Sequence, residues 1–148
     1  MKKIKIKNIH HSEYGYILDP IEIISVGDWI DLRAAVDIKI NAGEYARIPL
    51  GVAMELPKGY EALVAPRSST FGKYGILLAN SIGIIDESYK GDDDEWNFLA
   101  YAVRDTFILR GDRICQFRII KHQPKIKFEL VKTLGNKNRG GIGSTGTR

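Results

Sequence analysis

The stretches "YARIPLGVAMELP" (residues 45–57) and "YEALVAP" (60–66) are short, apolar or alternating, and cut by glycine and proline. Runs of the same kind recur as "KIKIKNI" (3–9), "GILLANSIGIID" (75–86), "WNFLAYAV" (96–103), "RICQFRIIK" (113–121) and "KIKFELVKTL" (125–134). Valine, isoleucine and tyrosine dominate them and turn signals follow at short spacing, so the chain reads as all-β, a sandwich or barrel. The exception is "PRSSTFGKYG" (66–75), where Ser68, Ser69 or Thr70 can cap one short helix ending at Gly72 or Gly75. A helix start leaves N–H groups free, and those favour anions.

With 148 residues, 44% of them apolar, the chain is long enough for one domain with a real core. Its 22 basic and 18 acidic residues give a net charge of +4, too little excess for a dedicated nucleic-acid binder. "KKIKIK" (2–7) reads as a solvated strand face whose lysines also discourage edge pairing. The single cysteine, Cys115, sits in an apolar strand pattern, which rules out an internal disulfide and fits a buried thiol in a reducing compartment. His10, His11 and His122 show no metal-type spacing with it and receive no role. No apolar run approaches the roughly 20 residues of a membrane span, and the N-terminus lacks a signal-type core. The expectation is a cytoplasmic protein without membrane contact.

The chain ends in "LGNKNRGGIGSTGTR" (134–148), whose glycines deny it packed secondary structure of its own. Two readings stay open: a floppy tail, or a segment that wraps an anion with backbone N–H groups, hydroxyls and Arg139. A β domain over 1–134 and a flexible tail over 135–148 is the expected organisation, with no internal repeat.

"GIIDESYKGD" (83–92) sets Asp86 and Tyr89 three residues apart between glycines; alone, it is turn punctuation. It stands in a series, however: "DLRAA" (31–35), "APRSST" (65–70), then this stretch, "RGDRICQFRI" (110–119) and "RGGIGSTGT" (139–147). In that order and at those intervals the segments resemble the five motifs of the trimeric dUTP pyrophosphatases, the dUTPases, from about residue 27 to the C-terminus. The resemblance implies a jelly-roll-like β-barrel assembled as a homotrimer, with each active site built from three chains. It also implies magnesium-dependent hydrolysis of dUTP to dUMP and pyrophosphate, which limits uracil in DNA and supplies dUMP for dTMP synthesis.

Carried over residue by residue, Asp86 corresponds to the general base that deprotonates the water attacking the α-phosphorus. Tyr89 corresponds to the residue packed under the deoxyribose, where an aromatic ring leaves no room for a 2′-hydroxyl. The hairpin "NSIGIID" (80–86), with Asn80, Gly83 and Ile85, would read the uracil edge through its backbone, Gly83 allowing close approach. Arg67, Ser68 and Ser69 correspond to the phosphate-binding segment, and Gln116 to the glutamine near the α-phosphate. Asp112 and Arg113 look structural. Asp31 corresponds to the carboxylate that holds a water of the Mg2+ bound across the phosphates. Arg139, Gly143, Ser144 and Thr145 correspond to the tail clamp on the γ-phosphate, a segment that orders on binding.

The sequence departs from the family at Ile142, where a phenylalanine usually stacks on the uracil; an aliphatic lid lacks the stacking term of about 0.5–1.5 kcal/mol. Either Ile142 covers the base or another aromatic does, with Trp96 the candidate and a core role its alternative. Trp29 and Ile30 also replace the small residues usual before the first-motif aspartate. The run Asp92, Asp93, Asp94, Glu95 reads as a solvated tip rather than a second metal site.

Three rivals stand beside this reading. A dCTP deaminase relative would need a glutamate within "WNFLAYAV", which has none; Glu95 only precedes it. A nucleotide-responsive binding protein with a regulatory protein partner would share the same pocket and is compatible with catalysis. A capsid or fibre β protein leaves the ordered phosphate segments unexplained.

Overall fold

The computed structural model describes residues 1–15, 21, 26–142 and 146. Its strands are β1 (Lys5–Asn8), β2 (Ile30–Arg33), β3 (Ile38–Ile40), β4 (Tyr45–Pro49), β5 (Val52–Glu55) and β6 (Tyr60–Pro66). After the helix α1 (Thr70–Tyr74) come β7 (Ile76–Leu78), β8 (Gly83–Ile85), β9 (Asn97–Ala102), β10 (Thr106–Ile108) and β11 (Arg113–Lys121). They form small antiparallel sheets in the orders β2-β11-β6-β8, β4-β9-β7, β1-β5 and β10-β3, an all-β, jelly-roll-like fold as expected. No helix among the described residues is long and apolar enough to cross a membrane.

Period-2 alternation builds the core. Along β9 it turns Phe98, Ala100 and Ala102 inward; along β6, Ala62 and Val64. These side chains meet Leu32, Ile48, Ile76, Ile114 and Phe117 in one cluster. Trp96, just before β9, continues the same inward row and packs edge-on against Phe117, with ring centroids 5.2 Å apart at 84°. With 0% of its surface exposed, Trp96 is a core residue and cannot cover a base. The inward face that it shares with Phe98 is the reason.

Strand β11 lies between β2 and β6 and carries an irregularity between Arg113 and Cys115 against β2. That bulge buries Ile114 and Cys115 in succession, whereas strict alternation would send Arg113 inward. Arg113 therefore reaches the outer face together with Gln116. The fully buried Cys115 thiol has its pKa pushed up by desolvation, with the Asp31 charge adding to the effect, so it is a structural thiol.

Helix α1 starts after Ser69, which makes no side-chain cap bond, and stops at Gly75, left-handed at φ 64°. A Cβ on Gly75 would meet the Arg104 side chain at 2.6 Å. Thr70, rather than either serine, does the local work: its hydroxyl accepts the Arg67 N–H (3.0 Å) and donates to the Ile114 carbonyl (2.7 Å). This fully buried threonine pins the Arg67–Ser69 turn to β11.

The expected hairpin over residues 80–86 is instead a crossover. β7 pairs with β9, while β8 pairs with β6, so residues 79–82 pass from one sheet to another. Each of the two strands is an edge of its own sheet, paired on one side only. Ser81 takes the left-handed conformation at φ 62° to make the turn.

Candidate active site

Three groups of the expected residues are assembled by these elements. The first lies where β2, β11 and the end of β6 meet. Asp31, 13% exposed at its side chain, faces Arg67 Nε at 3.0 Å through Oδ1 and Arg113 Nη1 at 3.3 Å through Oδ2. Gln116 stands opposite Asp31 on one side and Ala65 on the other, and its Nε2 donates to the Pro66 carbonyl at 3.1 Å. Ser68 and Ser69 are exposed beside them. The result is a patch of two guanidinium groups held by a carboxylate, with an amide and two hydroxyls beside them, chemistry suited to phosphate oxygens. Arg113, expected to be structural, pairs with Asp31 here, and the bulge that brings it to this face has no signature in the residue pattern.

The replacement of small residues by Trp29 and Ile30 leaves Asp31 in this position. Trp29 lies under the Arg118 guanidinium, 5.7 Å from its ring centroid, and Arg118 pairs with Asp28 at 2.9 Å.

The second group is a pocket of about 210 Å³ lined by Asn80, Gly83, Ile85, Tyr89, Glu95 and Asn97 among others. β8 is the edge of its sheet, bonded only to β6, so one side of its backbone stays available for a ligand's hydrogen bonds. Gly83 also has a packing reason within the chain. A Cβ there would lie 2.9 Å from Val64 Cβ, so the glycine lets β8 pack on β6 at the wall of the pocket that both residues line. Tyr89 is partly exposed, and its hydroxyl donates to the Glu95 carbonyl at 3.0 Å.

The third group surrounds Asp86, one residue past β8. Its Oδ1 accepts the Ser88 N–H at 2.8 Å and the Ser88 hydroxyl at 2.5 Å, while Oδ2 has no partner among the described residues. The Ser88 hydroxyl and N–H, with a smaller contribution from His122, hold the Asp86 carboxyl below the usual range. A cavity of about 560 Å³ opens here between Glu61, Asp86, His122 and Lys125. Glu87, next in the chain, accepts the Gly59 N–H at 2.7 Å with His122 Nδ1 3.7 Å away.

The acidic run divides. Asp92 and Asp93 are exposed near Lys7, whereas the Glu95 carboxylate turns inward to Gly51 N (2.9 Å) and His11 Nε2 (2.9 Å). Those bonds leave Glu95 unsuited to the proton shuttle of a deaminase. Among the described residues no group of three or more His, Cys, Asp or Glu can hold a metal. A single carboxylate, Asp31, already bound by two arginines, does not form a protein cage, but it suits a hydrated ion carried by a ligand. In the tail, Arg139 and Ile142 are exposed; Gly143, Ser144 and Thr145 lie outside the described residues.

The arrangement has known counterparts. At the level of fold, the structure of a Staphylococcus bacteriophage 80alpha dUTPase mutant with dUpNHpp covers 99% of both chains at TM-score 0.74 and 19% identity. A dUTPase mutant from phage phi11 of S. aureus, reported to coordinate a structural Mg(II) ion, covers 90% of this chain and 99% of its own at TM-score 0.73 and 16% identity. In sequence, an SPbeta prophage-derived deoxyuridine 5′-triphosphate nucleotidohydrolase of Bacillus subtilis is 56% identical over 146 residues, 99% of each chain. The family model for dUTPase matches residues 29–147. Full-length identity at that level and a matched model over most of the sequence establish that this chain belongs to the dUTPase family.

Proposed function

We propose that the chain hydrolyses dUTP to dUMP and pyrophosphate, with Asp86 as general base and the Asp31–Arg67–Arg113–Gln116 patch as the phosphate clamp. The observation that carries this is that Asp86, with Oδ2 open to its own cavity, directly follows Ile85, where the unpaired edge of β8 lines the neighbouring pocket. Water attacks the α-phosphorus, Asp86 takes its proton, and the bond to the oxygen bridging the α- and β-phosphorus breaks, releasing pyrophosphate. The exposed edge of β8 offers donors and acceptors to the uracil face, Asn80 contributes from the crossover, and Tyr89 lies under the sugar. Arg67, Ser68, Ser69 and Gln116 offset the charge that builds on the phosphates. Magnesium carried across the phosphates would supply charge neutralisation, and Asp31 would hold it through water. Arg139, Gly143, Ser144 and Thr145 close over the γ-phosphate, with Ile142 on the base, as a tail (135–148) appended to a β domain (1–134).

A homotrimer with shared sites is supported by the order of groups along β6. Ile85 pairs with Ala62 and Gly83 with Val64, while Arg67 follows Pro66. Ala62 and Arg67 are thus five residues apart, roughly 17 Å of extended chain. Within one chain the base pocket lies between Asp86 and the phosphate clamp. In dUTP the reacting phosphorus lies between the base and the other phosphates, so a clamp from a second copy fits and the chain's own does not. The arm beyond β11 supports the same assembly: Ile126, Phe128, Leu130 and Leu134 are 57–102% exposed on an extended segment, apolar surface that another copy would cover. The buried Cys115 thiol supports a reducing, cytoplasmic setting.

The direct test is pyrophosphate release with magnesium from dUTP, dCTP, dTTP and UTP. Release from dUTP, with the other three at least about a hundredfold slower in kcat/KM, is expected. Equal rates for dUTP and dCTP would remove the assigned base-reading edge.

Ser88→Ala has a sign that can be worked out. Ser88 lowers the pKa of Asp86, which keeps the base ionised toward acid pH; removing the hydroxyl raises that pKa. The acid limb of the kcat/KM profile for dUTP is therefore expected to move to higher pH, with little change on the plateau. An unmoved limb would separate Asp86 from the titration that governs activity.

A further inference from the structure

We propose that Glu95 is a positioning residue for Tyr89 and thereby sets discrimination between deoxyribose and ribose, an inference that rests on the sugar-side role given to Tyr89 above. Tyr89 leaves the Asp86 turn through one backbone bond, Tyr89 N–H to the Asp86 carbonyl at 3.0 Å, and its ring is partly exposed. The bond from its hydroxyl to the Glu95 carbonyl, at 3.0 Å, is what ties the ring to the β domain. The same carbonyl accepts Asn97 Nδ2 at 2.7 Å, so it is a fixed point shared by two side chains at the pocket.

Glu95 itself is held from the inner side. Its carboxylate, 17% exposed, accepts the N–H of Gly51 and faces His11 Nε2, each at 2.9 Å. Gly51 occupies the β4–β5 turn at φ +71° with no spare room, since a Cβ would lie 3.2 Å from Ala35 Cβ. Ile9 N–H closes the same turn on the Gly51 carbonyl at 2.8 Å, and backbone bonds join Trp96 to Leu50 and Val52. The N-terminal segment, the Gly51 turn and Glu95 thus form a strut that ends on the tyrosine hydroxyl. A ring that excludes one hydroxyl group by contact must be held to within a fraction of an ångström, and this strut holds it.

The experiment compares kcat/KM for dUTP and UTP in Glu95→Ala, Glu95→Gln, Tyr89→Phe and Tyr89→Ala. Glu95→Ala is expected to lower the dUTP/UTP ratio about tenfold by raising relative use of UTP. Glu95→Gln, whose amide oxygen still accepts the Gly51 N–H, is expected to keep the ratio near wild type. Tyr89→Phe, which folds with the strut intact but unattached, is expected to shift the ratio in the same direction, and adding it to Glu95→Ala is expected to add little. A wild-type ratio in Tyr89→Phe overturns the proposal, as does Glu95→Ala lowering both substrates alike, when Tyr89→Ala does change the ratio. A wild-type ratio in Tyr89→Ala overturns it differently, by removing the role of Tyr89 itself.

Discussion

Asp86→Asn is expected to lower kcat for dUTP by about 10²–10⁴-fold, the usual contribution of a positioned general base. The substitution is close to isosteric, and the amide oxygen can take over the Ser88 N–H and hydroxyl bonds now made by Oδ1, so the turn into Tyr89 should persist. What is lost is the second oxygen as a proton acceptor. KM should stay within a few-fold of wild type because base and sugar contacts lie elsewhere in the pocket, and the thermal midpoint should hardly move for an exposed side chain. Steady-state pyrophosphate release and a thermal scan on the same sample check both halves. A large rise in KM with kcat unchanged would mean that Asp86 binds substrate rather than activating water.

Arg67→Ala is expected to lower kcat/KM by about 10²–10³-fold. The guanidinium serves two groups at once. It neutralises Asp31 at 3.0 Å through Nε and donates through Nη1 to the Arg113 carbonyl at 3.4 Å, which leaves Nη2 for a phosphate oxygen. Its removal leaves Asp31, 13% exposed, with Arg113 alone, so the carboxylate becomes a repulsive charge beside an anionic substrate. Arg67→Lys should recover only part of the loss, since an ammonium cannot span a carboxylate and a phosphate as a planar fork does. Activity within tenfold of wild type in Arg67→Ala would remove the clamp from this turn.

Much of the fold was legible because burial follows period 2. The longer strands, the buried cysteine and a short helix after "PRSS" lie where apolar alternation and turn residues suggested, whereas "KIKFELVKTL" (125–134), which reads as a strand, pairs with nothing among the described residues and forms an exposed arm. The same alternation sets Trp96 on the face that carries Phe98, Ala100 and Ala102, and the burial of that face favours the core alternative for Trp96 over the lid. The crossover at 79–82 was not legible, since a turn between two short strands looks alike whether they pair with each other or with different sheets. Nor was the β11 bulge, which depends on the register with β2. Glu95 was hidden by its neighbours. An acid at the end of an acidic run looks solvated, and its partners Gly51 and His11 lie 44 and 84 residues away in sequence.

The claim that one active site draws Asp86 and Arg67 from different chains is tested most directly by co-expressing Asp86→Asn and Arg67→Ala chains in equal amounts and measuring dUTP hydrolysis by the mixed assembly. Each variant alone is expected to be nearly inactive. With shared sites, random assembly pairs an intact Asp86 with an intact Arg67 at about a quarter of sites, and activity should recover to about that fraction of wild type. Activity no greater than the average of the two parents would mean that both residues act within one chain, and the shared-site account would fail.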